Sequence, residues 1–432
     1  MSAETPATPP ASAEPAGGRS TRYPWGWRGF AAALLLLRTA MLVLSCSPGT
    51  LRVGDEPFYD QLARSLLAGD GYARHGAPTV YRPPGWPLTL AAIYRVAGDD
   101  RRVVVAVQGL FDAGTILLCG WLAGRLFASR TAGAVGFLLA LVWPPFFRES
   151  RYLQTEPMFT FLATAVLAAF ARFAERPRPR LAFGVGVVAG LGALVRPTGV
   201  LVLQSLVLGW LIQTRHRLRA QVAPLAAMLL GLGLVLAPWT LRNWEAFHVF
   251  IPLSIGAGEQ FYTGVALETE GRWDLDRWAT IRGDALDRER HRVGHPLDAI
   301  EQDRALMRAG IEVWKTAPWP STVISIKRFW RLCFLPLSGD DRPWLRVGFL
   351  LVLAALYGVA LPSGARGLRD PTGPLGFAGV LLIATLAFSL ASSFFYTNSR
   401  YFESVRPMLL VLAAGPIAGW IDARLAGRTI PA

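Results

Sequence analysis

The sequence predicts an all-α integral membrane protein, a polytopic helical bundle of about 10–11 transmembrane helices with extracytoplasmic juxtamembrane helices. Two observations lead to this fold class. Hydrophobic residues make up 52% of the chain and charged residues only 17%, whereas a soluble globular protein carries roughly 25% charged residues. The apolar residues also gather in runs, most of them near the roughly 20 residues with which a helix crosses the hydrocarbon of a bilayer.

The apolar runs define the predicted helices. They cover residues 31–44, 103–122, 131–147, 157–173, 181–195, 199–212, 222–239, 347–361, 374–391 and 405–421. Runs 181–195 and 199–212 are short, and only three residues separate them. Pro197 lies in that gap and cannot continue a hydrogen-bonded helix, so we predict two short helices that meet at a bend.

Charged residues lie inside two of the apolar segments and change how those segments are interpreted. Lys327, Arg328 and Arg331 interrupt residues 323–337, so this segment is predicted to be an amphipathic helix at the membrane interface rather than a further span. Asp112 lies within the run 103–122, where an unpaired carboxylate is costly. We predict that Asp112 faces the interior of the bundle and has a structural partner.

Two long connections, 48–102 and 241–343, hold the acidic and aromatic-rich irregular sequence, and the short connections on the other side each carry at least two arginines. Lys and Arg in short loops favour the cytoplasm. The predicted organisation is a disordered cytoplasmic tail (1–28), a transmembrane domain (29–422) and a second cytoplasmic tail (423–432). The Arg-rich, Lys-poor composition is typical of a GC-rich bacterial genome, so we expect a multi-pass plasma (bacterial inner) membrane protein.

The formal net charge of +14 comes almost entirely from arginines that are spread through every loop. A nucleic-acid-binding protein concentrates its basic residues on one face, so we expect no nucleic-acid partner. Membrane lipids and phosphate-bearing lipids are the predicted partners of this charge. The three cysteines are far apart and lie in or beside apolar runs, a pattern that predicts neither a disulfide framework nor a metal site.

The first long connection opens with Asp55, Glu56 and Pro57. With Pro57 in the first turn of a helix, both carboxylates would lie at its N-terminal end. Carboxylates there can accept a proton from a hydroxyl or bind a divalent cation. Simple capping of a surface helix is the alternative.

Three further charged residues stand beside prolines at the ends of apolar runs. Arg82 precedes a proline-rich turn and Arg196 precedes Pro197, and a guanidinium at either place can hold a phosphate with two hydrogen bonds or extend to lipid headgroups. Glu156 opens the run 157–173, and helix capping or pairing with Arg148 or Arg151 would explain it without catalysis.

These patches together resemble the GT-C class of membrane glycosyltransferases, in particular the family of dolichyl-phosphate-mannose protein mannosyltransferases and bacterial lipid A aminoarabinose transferases. The matching pieces follow the order of the family from about residue 50 to 410. They are Asp55-Glu56 with Tyr59 and Ala63, Arg82-Pro83-Pro84-Gly85-Trp86-Pro87, Thr155-Glu156-Pro157, Leu194-Val195-Arg196-Pro197, Pro238-Trp239-Thr240-Leu241-Arg242-Asn243 and Arg400-Tyr401.

The resemblance implies an inverting transfer of a sugar from a polyprenyl-phosphate donor to a glycan, lipid or protein acceptor on the non-cytoplasmic face. It implies a catalytic outer loop at 48–102 and a donor- and acceptor-binding loop at 241–343. Asp55 would be the general base or a ligand of a divalent cation, and Glu56 would share that role. Glu156, which stands where the family often has Asp, would be a third catalytic acid or a further ligand of the cation. The implied donor-phosphate ligands are Arg82, Arg196, Arg242 and Arg400. The predicted substrate-binding residues are Tyr59, Tyr81, Trp86, Asn243, Gln260, Tyr262 and Tyr401.

Three other classes of protein fit the composition. A transporter or flippase for a lipid-linked sugar would show inverted repeats and ionisable residues at mid-membrane; the sequence shows no repeat, and Asp112 is the main intramembrane charge. A polysaccharide ligase or polymerase would use a histidine or arginine of the second long connection, yet His291 and His295 lie in the charged stretch 282–308, which is typical of a solvated helix. A noncatalytic membrane scaffold is the third alternative.

Overall fold

The computed structural model describes residues 25–46, 54–266, 275–334, 343–395 and 402–427. Within these ranges the chain forms 17 α-helices and one short antiparallel hairpin. The helices are α1 (Trp25–Leu44), α2 (Glu56–Ala68), α3 (Gly85–Ala97), α4 (Arg101–Leu126), α5 (Arg130–Leu141), α6 (Pro144–Glu149), α7 (Glu156–Glu175), α8 (Pro179–Val195), α9 (Thr198–Gln213), α10 (Leu218–Phe247), α11 (Ala257–Val265), α12 (Leu275–Val293), α13 (Ala299–Thr316), α14 (Pro318–Phe334), α15 (Pro343–Arg369), α16 (Gly376–Ser393) and α17 (Arg406–Leu425). The strands are β1 (Ala73–Arg74) and β2 (Ala77–Pro78).

The described helices confirm the predicted fold class of an all-α polytopic bundle. Seven of them, α1, α4, α7, α10, α15, α16 and α17, are long and apolar enough to cross a membrane. Three more, α5, α8 and α9, are apolar but shorter. The predicted number of about 10–11 spans agrees with these helices only if the three short ones also cross.

One predicted helix is divided. The run 131–147 forms α5 and then α6, with a break between Leu141 and Pro144. The consecutive prolines Pro144 and Pro145 lack backbone N–H groups, so they can start the new helix but cannot continue the old one.

The predicted bend between two short helices is confirmed. Helix α8 ends at Val195, Arg196 is extended (φ −147°, ψ 133°), and α9 starts at Thr198. Helix α8 lies closely against α10 because both carry glycine at their contact. A Cβ atom on Gly186 would lie 2.0 Å from the carbonyl oxygen of Met228, and one on Gly231 would lie 2.3 Å from that of Phe183. Small residues of this kind allow membrane helices to approach closely.

The prediction for Asp112 is also confirmed. Its side chain is buried on α4 and pairs with Arg38 of α1, with 2.5 Å between Nε and the carboxylate oxygen. Arg38 also donates to the carbonyl of Leu141 at the end of α5. A buried charge pair in an apolar helix bundle holds its helices in one arrangement, since separating the partners would leave a charge in a medium of low dielectric constant.

The second long connection is largely helical and contains α11 to α14. Helix α14 is not among the long apolar helices, which agrees with its prediction as an amphipathic segment. The charged stretch 282–308, expected as one solvated helix, is instead divided between α12 and α13. The break lies at Gly294, whose φ of +77° is a conformation that glycine adopts without strain.

Candidate active site

One end of the bundle brings together the start of α2, the turn before α3, the start of α7 and the bend between α8 and α9. Glycine makes this convergence possible. A Cβ atom on Gly85 would lie 2.7 Å from the carbonyl oxygen of Leu194. The turn that carries Arg82 therefore lies directly against the end of the helix that leads to Arg196.

The first carboxylate is Asp55, at the N-terminus of α2. The helix begins at Glu56 with proline in its first turn, as predicted, but the Asp55 side chain makes no capping hydrogen bond. It accepts instead a hydrogen bond of 2.8 Å from Nη2 of Arg82. The Asp55 and Arg82 side chains are 26% and 25% exposed, so this ion pair is accessible to a substrate.

The second carboxylate, Glu56, is fully buried. It accepts a hydrogen bond of 2.7 Å from Arg101 and another of 2.7 Å from the backbone N–H of Leu153. These contacts connect α2, α4 and the loop before α7. Glu56 therefore holds the loop before α7 in place.

The third carboxylate, Glu156, begins α7 and is 4% exposed at its side chain. Pairing with Arg148 or Arg151 was one alternative from the sequence, and the ion pair in the structure is a different one. Arg148 lies 3.6 Å from Glu149, and Arg151 donates to the carbonyl of Ser45. The partner of Glu156 is Arg196, at 3.1 Å, because the bend directs that side chain toward the start of α7.

Tyr59 lies near both ion pairs. Its side chain is buried on α2, and the charges of Asp55, Arg82, Glu156 and Arg196 all act on its hydroxyl group. Burial, the largest effect, raises the pKa of the phenol to about 12. Tyr59 is therefore neutral at physiological pH and can donate a hydrogen bond.

A contact that the sequence did not predict extends the site toward α11. The hydroxyl of Tyr81 donates to Glu259 at 2.9 Å, and Nε of Arg282 lies 3.7 Å from the same carboxylate. Asp303 accepts hydrogen bonds from the backbone N–H groups of Gly258 and Glu259 and so fixes the start of α11. Burial, followed by the charge of Glu259, raises the pKa of Tyr81.

Four further predicted ligand-binding residues have protein partners in the structure. Arg242 donates to the carbonyl oxygens of Tyr72 (2.7 Å) and Thr79 (2.9 Å), and Asn243 donates to that of Ile251 (2.9 Å). Trp86 is fully buried, with its indole 3.4 Å from the carbonyl of Leu153. Tyr262 is buried against Trp278, whereas Gln260 is partly exposed. Their predicted contacts with substrate stay predictions.

Arg400 and Tyr401 lie outside the described residues. In the sequence that follows them, Glu403 and Arg406 form a buried ion pair of 2.9 Å. Trp143 donates to the same carboxylate at 2.7 Å. This network fixes the start of α17 near the end of α5.

A divalent cation does not fit the contacts of the predicted ligands. Asp55 and Glu156 each face an arginine. In the described part of the chain, no three His, Cys, Asp or Glu side chains come close enough to hold a metal ion. The chemistry below therefore uses side chains alone.

Residues 81–240 match the sequence profile of the dolichyl-phosphate-mannose-protein mannosyltransferase family. This confirms the predicted resemblance over a segment that includes Arg82, Glu156 and Arg196. No curated protein matches the chain.

The solved structures that are similar to the chain at low identity include three glycosyltransferase structures. Two are of ArnT from Cupriavidus metallidurans, bound to undecaprenyl phosphate (15% identity, TM-score 0.43) and in the apo state (14%, TM-score 0.44). Each covers 94% of this chain and 81% of the other. The third is the arabinosyltransferase EmbB from Mycobacterium smegmatis (14%, TM-score 0.37), over 94% of this chain and 43% of that one.

Proposed function

We propose that this chain is an inverting glycosyltransferase that moves a sugar from a polyprenyl-phosphate donor to a hydroxyl group, or to a lipid phosphate, of a glycan, lipid or protein acceptor. The observation that supports it best is the convergence of two acid–arginine pairs around Tyr59. The pairs are Asp55–Arg82 and Glu156–Arg196. The family match over residues 81–240 adds support, since its description names a dolichyl-phosphate sugar.

Asp55 is the proposed general base. Of the three predicted catalytic acids it is the most exposed, whereas Glu56 and Glu156 are buried. A base that takes the proton of the acceptor hydroxyl contributes about 10²–10⁴-fold to the rate. The acceptor oxygen forms a bond to the anomeric carbon, the carbon–oxygen bond to the phosphate breaks, and the phosphate leaves with the electron pair. The proton ends on Asp55, and attack from the opposite face inverts the anomeric carbon.

Arg82 and Arg196 are the proposed ligands of the donor phosphate. A phosphate that leaves as an anion requires positive groups placed in advance, and guanidinium groups provide charge and paired hydrogen bonds. Glu156 holds Arg196 at 3.1 Å, so we assign it a positioning role. Arg242, with its contacts to Tyr72 and Thr79, supports the segment that leads to Arg82.

The sidedness follows from the predicted orientation. We place the site on the periplasmic or extracellular side of a plasma (bacterial inner) membrane, because the carboxylate loop and α11 to α14 share one side in that topology. A transporter of lipid-linked sugars is the weaker alternative. Its main support, the intramembrane carboxylate of Asp112, is paired with Arg38.

The test uses purified protein in detergent with undecaprenyl-phosphate sugars. We expect wild type and Asp55→Asn to bind the donor, Arg196→Ala to lose binding, and only wild type to release polyprenyl phosphate when candidate acceptors are added. Full turnover by Asp55→Asn would refute the assigned base. Binding and translocation of the donor in vesicles without bond cleavage would favour the transporter.

A further inference from the structure

Helix α11 forms one edge of the candidate active site, and its two ends are held in different ways. Its first turn carries Glu259, which contacts Tyr81, and Asp303 of α13 accepts hydrogen bonds from the backbone N–H groups there. Its last turn lies against the end of α16. A Cβ atom on Gly264 would lie 2.3 Å from the carbonyl oxygen of Phe394, so the absence of a side chain allows these two helix ends to meet.

Arg328 of α14 lies at this junction and is 2% exposed. Its Nη1 donates to the carbonyl oxygen of Gly264 at 2.8 Å and to that of Ser393 at 3.2 Å. It also donates to the carbonyl oxygen of Phe395 at 3.4 Å. Gly264 belongs to the last turn of α11, and Ser393 is the last residue of α16. One guanidinium group therefore connects the ends of two helices to a third.

The positive charge of Arg328 suits this position. The last carbonyl groups of a helix have no partner within the helix, and together they carry a partial negative charge. Two helices end at the guanidinium, so both favour a cation there. Hydrogen bonds from a charged donor are also stronger than neutral ones. A neutral side chain of similar size, such as that of methionine, would take this donor away from buried carbonyl oxygens, which is unfavourable.

Helix α14 is itself fixed to the membrane bundle. Near its end, the carbonyl oxygen of Cys333 accepts a hydrogen bond of 3.3 Å from Nη1 of Arg406, at the start of α17. Earlier in α14, Ser321 is fully buried, and its hydroxyl lies 3.5 Å from the carbonyl oxygen of Val265. Arg328 therefore connects α11, which lies in the second long connection, to helices of the bundle.

We propose that Arg328 is a positioning residue for the transfer reaction: it anchors the last turn of α11 so that Glu259, in the first turn, stays in contact with Tyr81. Helix α11 has nine residues and is roughly 13 Å long at about 1.5 Å per residue. A helix this short moves as one body, so a shift of its last turn also displaces Glu259. The effect on catalysis rests on the proposed function, whereas the anchor at α11 does not.

The first test measures the anchor without any substrate, as backbone hydrogen–deuterium exchange over residues 257–265 in detergent. Arg328→Met should speed this exchange by about tenfold, because the last turn of α11 opens more often. Lys327→Met, at an exposed position of α14, is the matched control and should exchange as wild type does. If Arg328→Met fails to fold, Gly264→Ala pushes the same helix ends apart, and Gly283→Ala, whose added Cβ meets nothing within 4 Å, is its control. Unchanged exchange in the folded variants would overturn the anchor.

The second test measures the effect on the reaction by a double-mutant cycle. Arg328→Met and Glu259→Gln should each raise the KM of the same substrate by about tenfold, with kcat nearly unchanged. Arg328→Lys, which keeps the charge, should recover most of the loss. Because Arg328 acts through Glu259, the double variant should also lie near tenfold, whereas independent effects would multiply to about a hundredfold. A hundredfold rise in KM, or a loss in kcat, would overturn the positioning role.

The two tests separate this inference from the proposed function. Wild-type protein that turns over no polyprenyl-phosphate sugar would refute the proposed function, and faster exchange of α11 in Arg328→Met would still support the anchor. Turnover by wild type, with the same KM values in folded Arg328→Met, would leave the proposed function standing and overturn the positioning role.

Discussion

The two ion pairs of the candidate active site have the same chemistry and different surroundings. In the Asp55–Arg82 pair each side chain is about a quarter exposed, whereas in the Glu156–Arg196 pair the side chains are 4% and 10% exposed. A pair at an accessible surface contributes little to stability and exchanges partners easily. A buried pair is costly to break, because either charge alone would remain in a medium of low dielectric constant.

This difference suggests a division of labour within one site. The accessible Asp55–Arg82 pair, here called the open pair, can release both side chains to a substrate. The buried Glu156–Arg196 pair, here called the closed pair, holds Arg196 in position at the bend between α8 and α9, so that its charge is present before a donor arrives. Preorganised charge of this kind is more effective than charge that must be moved into place during the reaction.

The largest expected effect tests the open pair. Asp55→Asn should lower turnover by about 10²–10⁴-fold with little change in donor affinity, because the amide keeps the shape but cannot take the proton. Turnover is measured as release of polyprenyl phosphate, and affinity by direct donor binding. Glu156→Gln is the matched control at the closed pair and should affect turnover less. If Glu156→Gln abolished turnover and Asp55→Asn did not, the assigned roles would be reversed.

The next effect tests the closed pair through stability. Arg196→Met leaves Glu156 buried without its counter-charge and should destabilise the protein by about 3–5 kcal/mol. The double variant Arg196→Met with Glu156→Gln removes both charges and should recover much of that loss without recovering donor binding. Thermal unfolding in detergent measures the stability of both variants.

For the open pair, Arg82→Met is the comparison. Arg82→Met should lower the free energy of unfolding by roughly 1 kcal/mol or less. Equal destabilisation by Arg82→Met and Arg196→Met would remove the difference between the pairs.

The sequence could predict the parts of this site that depend on local order. Pro57 marked the start of α2 beside Asp55, and Pro197 marked the bend that carries Arg196. Apolar runs predicted most of the long helices, because spacing along the chain alone decides whether a helix can cross a membrane. Asp112 was expected to be paired on the general cost of a buried charge.

The partners of the charged residues could not be predicted in the same way. Glu156 has two arginines within eight residues in sequence, yet it pairs with Arg196, 40 positions away. Tyr81 and Glu259 are 178 positions apart. Such contacts depend on how helices are packed, for which a single sequence holds no local signal. Consecutive prolines at 144 and 145 were, by contrast, a readable sign that the run 131–147 is divided.

A smaller effect is expected where the open pair approaches α11. Glu259→Gln weakens the contacts with Tyr81 and Arg282 and should raise the KM of one substrate about tenfold, with kcat nearly unchanged, because Glu259 aligns the edge of the site without touching the reacting atoms. Steady-state kinetics with donor and acceptor varied separately identify the affected substrate. Asp287→Asn on the exposed side of α12 is the matched control, because Asp287 is 58% exposed and, among the residues that the structure describes, pairs only with Arg290 of the same helix; it should leave both values as in wild type. A tenfold loss in kcat instead would place Glu259 in the reaction.

The last expected effect concerns Tyr59, which lies near both the open and the closed pair. Burial raises the pKa of its phenol from 10 to about 12, so above pH 10 the unfolded chain loses this proton while the folded protein keeps it. The contribution of Tyr59 to stability is therefore complete below pH 10 and is lost as the pH rises toward 12. Tyr59→Phe should lose stability less steeply than wild type in that window, by about 1.4 kcal/mol per pH unit for the one proton. Thermal unfolding in detergent between pH 8 and 11.5 measures both slopes, and the two proteins should run parallel below pH 9. Parallel curves above pH 10 as well would mean that the phenol is not shielded from solvent.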